Sequence, residues 1–346
     1  MQKALFVTEV GKPVSLGTRV IPNPNLGEVL IKVTSSQILP HDTYGRDSGL
    51  FFQSNLPYVL GTNISGIVTK LGPSVTKYKV GAHIFGQGSP LAPLPDSAGL
   101  QEYATLRASD SALVPEGFTD DQIATLPTNA VTAFKALFHS ENFHLPFPPS
   151  KTFDYSSKTL VVIGAGSNVG KLTIQFAKMV GLGSVVAVAS ISGEKELKEL
   201  GATYVVDRYS EDVVRDVHAM VGGQDAVTHV IDCVNWVYDL AANLVSRTRP
   251  SVIVTLHRAD SAVEALERLG KQESRAMGAK GLREHFTELA EVFWGNIGEW
   301  VAEGKILTGK FRVIEGLDAE KINEALDLYR DGRPVVQAVI HPNAEL

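Results

Sequence analysis

Apolar positions follow two regimes along this chain. Up to about residue 120 they fall in short β-branched runs broken by Gly and Pro: EVLIKVTSSQI (28–38), ISGIVTKLG (64–72) and VGAHIFG (80–86). Such runs predict strands, and with little helical periodicity between them they predict an irregular barrel or sandwich. After Asp120 the pattern changes. DDQIATLPTNAVTAFKALF (120–138) predicts a helix in two pieces around Pro127, and the proline-rich HLPFPPSKTFDYSS (144–157) predicts a surface loop. From Lys158 the pattern alternates. TLVVIG (159–164) and VVAVAS (185–190) are apolar runs suited to strands buried on both faces, and TYVVD (203–207), THVIDCV (228–234) and SVIVTL (251–256) continue the alternation. Behind the first, Val169, Leu172, Thr173, Phe176, Ala177 and Val180 recur at helical spacing up to Gly181. A short helix is expected over 194–200, ended by Gly201, and another through Val213, Val214, Val217 and Val221, capped by Ser210. Strands alternating with helices predict a parallel, doubly wound sheet, which SVIVTL closes. The tail predicts helices around 283–303 and 318–330 and strands at KFRVIEG (310–316) and VVQAVIHP (335–342).

Composition narrows the class. The 346 residues are 44% hydrophobic and 20% charged, as in globular proteins, and are enough for about two domains. The only cysteine, Cys233, excludes a disulfide framework and a four-cysteine zinc site, and fits a reducing, cytoplasmic setting. Lys and Arg number 32 against 38 Asp and Glu, with no basic block, so no nucleic-acid partner is expected. No window approaches 18 uninterrupted apolar residues and MQKALFVTEVGKPV lacks a signal-peptide core, so no membrane association is expected.

One turn carries chemistry. LVVIGAGSNVG (160–170) sets Gly164, Gly166 and Gly170 between a buried strand and an amphipathic helix. Glycines let the backbone turn tightly and approach a pyrophosphate, and the helix start (Ser167, Asn168, Val169) supplies N–H groups and a positive dipole end. The spacing is G-x-G-x-x-x-G, and a tight turn with no ligand is the plain alternative. The next strand ends at Ser190, followed by Ser192, Glu194 and Lys195. An NAD enzyme usually ends this strand with an acid that binds the ribose 2′-hydroxyl. Here hydroxyls with a nearby lysine suit a 2′-phosphate, so NADPH is the expected cofactor. Arg208 or Tyr209 adds to that pocket, while Lys195 also reads as a solvated helix residue.

The chain resembles the medium-chain dehydrogenase/reductase superfamily. The resemblance rests on ILPHDTYGRDSG (38–49), LGTNISGIVTKLGPSVTKYKVGAHIFG (60–86), QEYATLRASDSALVPEGFTDDQIATLPTNAVTAFKAL (101–137), the glycine turn, ELGATYVVDRYSEDVV (199–214), VIDCVN (230–235) and GKILTGKFRVIEGLDAEKINEALDLYRDGRPVVQAVIHP (304–342). Within it the chain is similar to the zinc-free quinone-reductase branch and to fungal trans-acting enoyl reductases, which serve polyketide synthases. The resemblance implies an α/β protein with a GroES-like β-rich catalytic domain (1–125), a Rossmann doubly wound parallel-sheet domain (126–300) and a C-terminal segment (301–346) completing the first. It places catalysis in the cleft between them. Zinc-dependent members use a Cys on the first loop and a Gly-His-Glu segment. Here those places read His41-Asp42-Thr43-Tyr44 and Gly61-Thr62-Asn63, and no metal is expected.

The resemblance puts His41, Asp42, Thr43 and Tyr44 on a loop beside the nicotinamide. Tyr44 is either the proton donor or a wall of the cleft, and trans-acting reductases often carry a lysine there. Asp42 is expected to fix the loop by accepting backbone N–H bonds. Of Thr128, Asn129 and Thr132, Thr132 is the cofactor candidate, with capping or packing as the alternative. Leu256 and His257 follow the strand whose backbone binds the nicotinamide amide in the family. Cys233, Trp294 and Trp300 read as core, and His139 and His144 as structural or surface residues. RADSAVEALERLGKQESRAMGAKGLREHF, between Leu256 and Leu289, departs from relatives that continue the sheet there, leaving a shortened sheet and a monomer or a homodimer open. The expected activity is NADPH-dependent reduction of an activated C=C bond in an enoyl or enone substrate, free or carried by a polyketide synthase. A quinone oxidoreductase, a zinc-free dehydrogenase on a biosynthetic intermediate and a non-catalytic nucleotide binder are the alternatives.

Overall fold

The computed structural model describes residues 1–52, 55–92, 94–279, 281 and 285–343. The chain divides into two compact units, Met1–Thr128 with Ala290–Leu346, and Asn129–Leu289. The first stretch folds as β1 (Gln2–Val7), β2 (Ser15–Arg19), β3 (Glu28–Gln37), α1 (Pro40–Ser48), β4 (Tyr58–Val59), β5 (Asn63–Leu71), β6 (His83–Gln87), β7 (Tyr103–Arg107), β8 (Ser111–Leu113) and α2 (Asp120–Ala124). The expected loop at 41–44 is a helix. Pro40 presets φ in its first turn, the Asp42 carboxylate accepts from the Leu39 N–H at 2.8 Å, and Gly49 (φ +70°) ends it. Nine residues with little apolar periodicity hid α1 from a pattern reading.

The second stretch runs through α3 (Pro127–Phe138), β9 (Thr159–Ile163), α4 (Asn168–Met179), β10 (Ser184–Ala189), α5 (Glu194–Leu200), β11 (Tyr204–Asp207), α6 (Val213–Val221), β12 (His229–Asp232), α7 (Asp239–Leu244), β13 (Val252–Thr255), α8 (Asp260–Arg268) and β14 (Arg275–Gly278). The six strands are parallel in the order β11-β10-β9-β12-β13-β14, so the chain reverses its direction of growth beside β9. Val161, Ile163, Val186, Val188, Val230 and Ile253 form the heart of the core, which is why these strands read as unbroken apolar runs. Two expectations are corrected. SVIVTL is not the last strand, because β14 pairs with it from Val252–Arg275 to Thr255–Gly278. Only Ala276 of this edge strand is buried, so it carries almost no apolar signal. Ser210 does not cap α6; Asp212 does, accepting from Arg215 N at 2.9 Å, while Ser210 Oγ donates to Asp216.

The tail adds α9 (Thr287–Ala302), β15 (Phe311–Glu315), α10 (Ala319–Arg330) and β16 (Gln337–His341). β15 and β16 are parallel, and β16 joins β3 antiparallel (Val339 opposite Gln37). They complete a seven-stranded sheet, β15-β16-β3-β5-β6-β8 with β7 also on β3, beside a smaller β2-β1-β4 sheet. No described helix is long and apolar enough to cross a membrane.

Candidate functional site

The glycine turn follows β9 directly. Gly164 has φ +72°, and a Cβ there would lie 2.5 Å from a Val234 methyl carbon. The N–H groups of Gly164 and Ala165 both donate to Val188 O, at 3.0 and 3.2 Å. A Cβ on Gly170 would lie 2.6 Å from Gly164 O, so that glycine lets α4 pack against the turn. A Cβ on Gly166 would meet nothing within 4 Å. The three glycines thus serve tight turn, open approach and helix packing, which a phosphate cradle needs. Ser167 caps α4, its hydroxyl accepting from Gly170 N at 3.1 Å, with Asn168 half-buried and Val169 buried behind it. The cradle fits a dinucleotide pyrophosphate at the positive end of a 12-residue helix.

Beside it, β10 ends in a pair of hydroxyls, Ser190 Oγ and Ser192 Oγ, 2.9 Å apart. Glu194 is engaged by Lys198 at 2.7 Å, and Lys195 is exposed on α5. Arg208 N donates to Ala189 O at 2.8 Å, which brings Arg208 and Tyr209 alongside the end of β10. The Arg208 guanidinium lies 4.5 Å over the Tyr209 ring, itself 70% exposed. The Asp207 carboxylate accepts from Tyr209 N at 3.2 Å.

In the first unit, α1 presents His41 and Tyr44 half-buried and hides Asp42 and Thr43. Asp42 accepts from Leu39 N (2.8 Å) and Gly61 N (3.0 Å), the fixing role expected of it. Burial raises its pKa, and His41 and the two backbone donors oppose the rise. Thr43 Oγ1 donates to Leu326 O at 3.0 Å, which ties it to α10. Burial also raises the pKa of Tyr44. His41 Nε2 is 3.1 Å from Thr62 Oγ1, which is 3.2 Å from Thr128 Oγ1, which accepts from Gln87 Nε2 at 3.1 Å. Asn63 Oδ1 in turn accepts from Thr128 N at 2.8 Å. His41, Asp42 and Thr62 line, with Phe52, Tyr58 and Ser97, a cavity of about 10 Å³. Pattern reading used Thr62 and Asn63 only as missing zinc ligands; their signal was two adjacent polar side chains at the start of β5.

The remaining candidates lie in the second unit. Thr132 is 7% exposed, and a Cβ on Gly281 would fall 1.8 Å from its hydroxyl, so Gly281 packs against it. Leu256 and His257 follow β13, and the His257 ring stacks on Trp236 at 3.5 Å and 11°. Burial lowers the His257 pKa and Asp232 opposes the drop. Pattern reading passed over Trp236. Cys233 lies just past β12, buried, and burial pushes its thiol pKa up. Among the described residues no group of three or more His, Cys, Asp or Glu side chains is placed to hold a metal ion.

Residues 25–116 match the alcohol dehydrogenase GroES-like domain, and 168–293 match the zinc-binding dehydrogenase domain. A trans-enoyl reductase of Aspergillus terreus is 30% identical over 241 residues, 67% of this chain and 76% of that protein. The chain belongs to the medium-chain dehydrogenase/reductase family, in its quinone-reductase-like branch. A trans-enoyl reductase of Aspergillus japonicus is 29% identical over 90% of this chain and 89% of its own. The quinone oxidoreductase of Coxiella burnetii shares the fold, with a TM-score of 0.75, 24% identity and 98% and 99% coverage. As a medium-chain reductase the protein is an oxidoreductase of a family that binds a nicotinamide cofactor. The GroES-like β-rich fold and the Rossmann sheet of the two units are those of the family.

Proposed function

We propose that the protein reduces the activated C=C bond of an enoyl or enone substrate with NADPH. The observation that carries this reading is the match to a trans-enoyl reductase across nine tenths of both chains. The end of β10 supports the choice of NADPH: Ser190, Ser192 and the Arg208 guanidinium suit a 2′-phosphate, which a carboxylate in their place would repel. Lys195, exposed on α5, and Tyr209, beside Arg208, are the further candidates for that phosphate.

When bound, the cofactor supplies a hydride to the β-carbon of the unsaturated carbonyl. The chain's part is to bind, orient and protonate. Gly164, Gly166, Ser167, Asn168 and Val169 receive the pyrophosphate. Asp42, anchored on two backbone N–H groups, holds the start of α1 and with it His41, Thr43 and Tyr44. Tyr44 donates the proton that the substrate takes up at its α-carbon. A phenol is protonated at neutral pH, and burial raises the pKa of this one further. Thr132, Leu256 and His257 complete the surroundings of the nicotinamide.

The test is anaerobic NADPH oxidation with a panel of enoyl thioesters, free enones and quinones, products identified by mass. Saturated products bear the reading out. Turnover confined to quinones assigns a quinone oxidoreductase instead, and no turnover with any acceptor leaves a nucleotide binder. Tyr44→Phe is expected to lower kcat about 100-fold with NADPH affinity unchanged; an unaltered kcat assigns the proton to another donor.

A further inference from the structure

Of the three tryptophans, Trp294 and Trp300 are 3% and 7% exposed, but Trp236 is 61% exposed. Val234 and Val237 on either side of it are 48% and 64% exposed. Three large apolar side chains within four residues stand in the open, yet their loop is firmly built. The Asp232 carboxylate accepts from Val234 N (3.1 Å), Asn235 N (3.0 Å) and Asn235 Nδ2 (2.8 Å). Trp236 O accepts from Ser261 Oγ at 3.1 Å, and Tyr238 is fully buried behind the loop. The indole lies flat on the His257 imidazole at 3.5 Å. A hydrogen-bonded support that holds apolar side chains out of the core points to a ligand that covers them.

Topology says which ligand. In a sheet of order β11-β10-β9-β12-β13-β14, the glycine turn after β9 is the switch point, and a dinucleotide lies across it at the carboxyl ends of the strands. The ribose-recognising end of β10 takes the adenosine half to one side. The other half then lies over the ends of β12 and β13, which the stacked Trp236 and His257 follow in the chain. Val234 marks the way, standing against Gly164 itself. We propose that Trp236, backed by His257, is the wall against which the nicotinamide half of the dinucleotide is held. This rests on the dinucleotide reading of the glycine turn given above. A flat indole suits a nicotinamide ring, and suits it better in the oxidised, cationic form. Burial disfavours the charged form of His257, although Asp232 opposes that, and a neutral imidazole behind the indole does not repel a cationic ring.

The test compares NADP⁺ with adenosine 2′,5′-bisphosphate, which carries only the adenosine half, by calorimetry and by tryptophan emission. NADP⁺ is expected to shield the acrylamide-accessible emission, which Trp236 dominates, and the bisphosphate to leave it accessible. Trp236→Ala is expected to weaken NADP⁺ binding about tenfold, NADPH binding less, and bisphosphate binding not at all; Trp236→Phe restores most of the loss. The proposal is overturned if Trp236→Ala, melting like the parent protein, binds NADP⁺ as tightly, or if the bisphosphate shields the emission equally. If the parent protein binds neither nucleotide, the dinucleotide reading falls and takes this inference with it.

Discussion

Asp42 uses both carboxylate oxygens on the backbone, one for Leu39 N–H and one for Gly61 N–H, at 2% exposure. Asp42→Ala strands two buried donors and is expected to cost about 2–4 kcal/mol, read as a lower urea midpoint at unchanged slope. Asp42→Asn, which keeps one acceptor, is expected to cost less. His229 has the opposite problem, a group that burial keeps neutral. Desolvation first, then Lys158 and Arg249, bring its pKa down to about 4. In the unfolded chain an imidazole titrates near 6.5. Its neutral form is therefore favoured by folding, so stability is full above about pH 6.5 and is lost as pH falls towards 4, by about 3 kcal/mol at most. Denaturation midpoints measured between those pH values in the parent and in His229→Asn check this; equal slopes refute it. Neither residue's partner was visible in the pattern, because a hydrogen bond to Gly61 or the burial of one imidazole is a property of the packed chain.

At the scale of elements, the turn between β9 and α4 combines two kinds of glycine that a motif cannot tell apart. Gly164 has a left-handed backbone and Val234 where a Cβ would go, whereas Gly166 has open space. Gly164→Ala is expected to lower Tm and NADPH affinity together. Gly166→Ala is expected to melt within about 2 °C of the parent while NADPH affinity falls at least tenfold, since the methyl occupies only the approach of the pyrophosphate. Loss of stability without loss of affinity in Gly166→Ala would contradict the cradle. The strands of the Rossmann sheet were legible because burial on both faces demands unbroken apolar runs. Helix α1 and strand β14 were not, because one hides its Asp42 and Thr43 rather than apolar side chains and the other is an edge with one buried residue.

At the scale of the molecule, residues near both ends of the chain build one unit. β16 pairs with β3, Thr43 donates to Leu326 O, and Arg46 binds Asp327 at 2.7 Å. In the two segments that lack the zinc-ligand pattern, His41 and Thr62 are hydrogen-bonded to each other, and Thr62 in turn to Thr128. Incubation with phenanthroline followed by desalting is expected to leave reductase activity within about 20% of its starting value; loss restored by zinc would refute that. The alternation of strands and helices, the glycine turn and the neutral end of the second strand were determined by sequence alone, since each depends on periodicity or on neighbours a few positions apart. The tertiary structure decided how side chains distant in the chain combine: the anchoring of Asp42, the hydroxyl chain from His41 to Gln87, the sixth strand of the sheet and the Trp236–His257 stack. Contacts of that kind follow from where the backbone folds back on itself, and no local pattern encodes them.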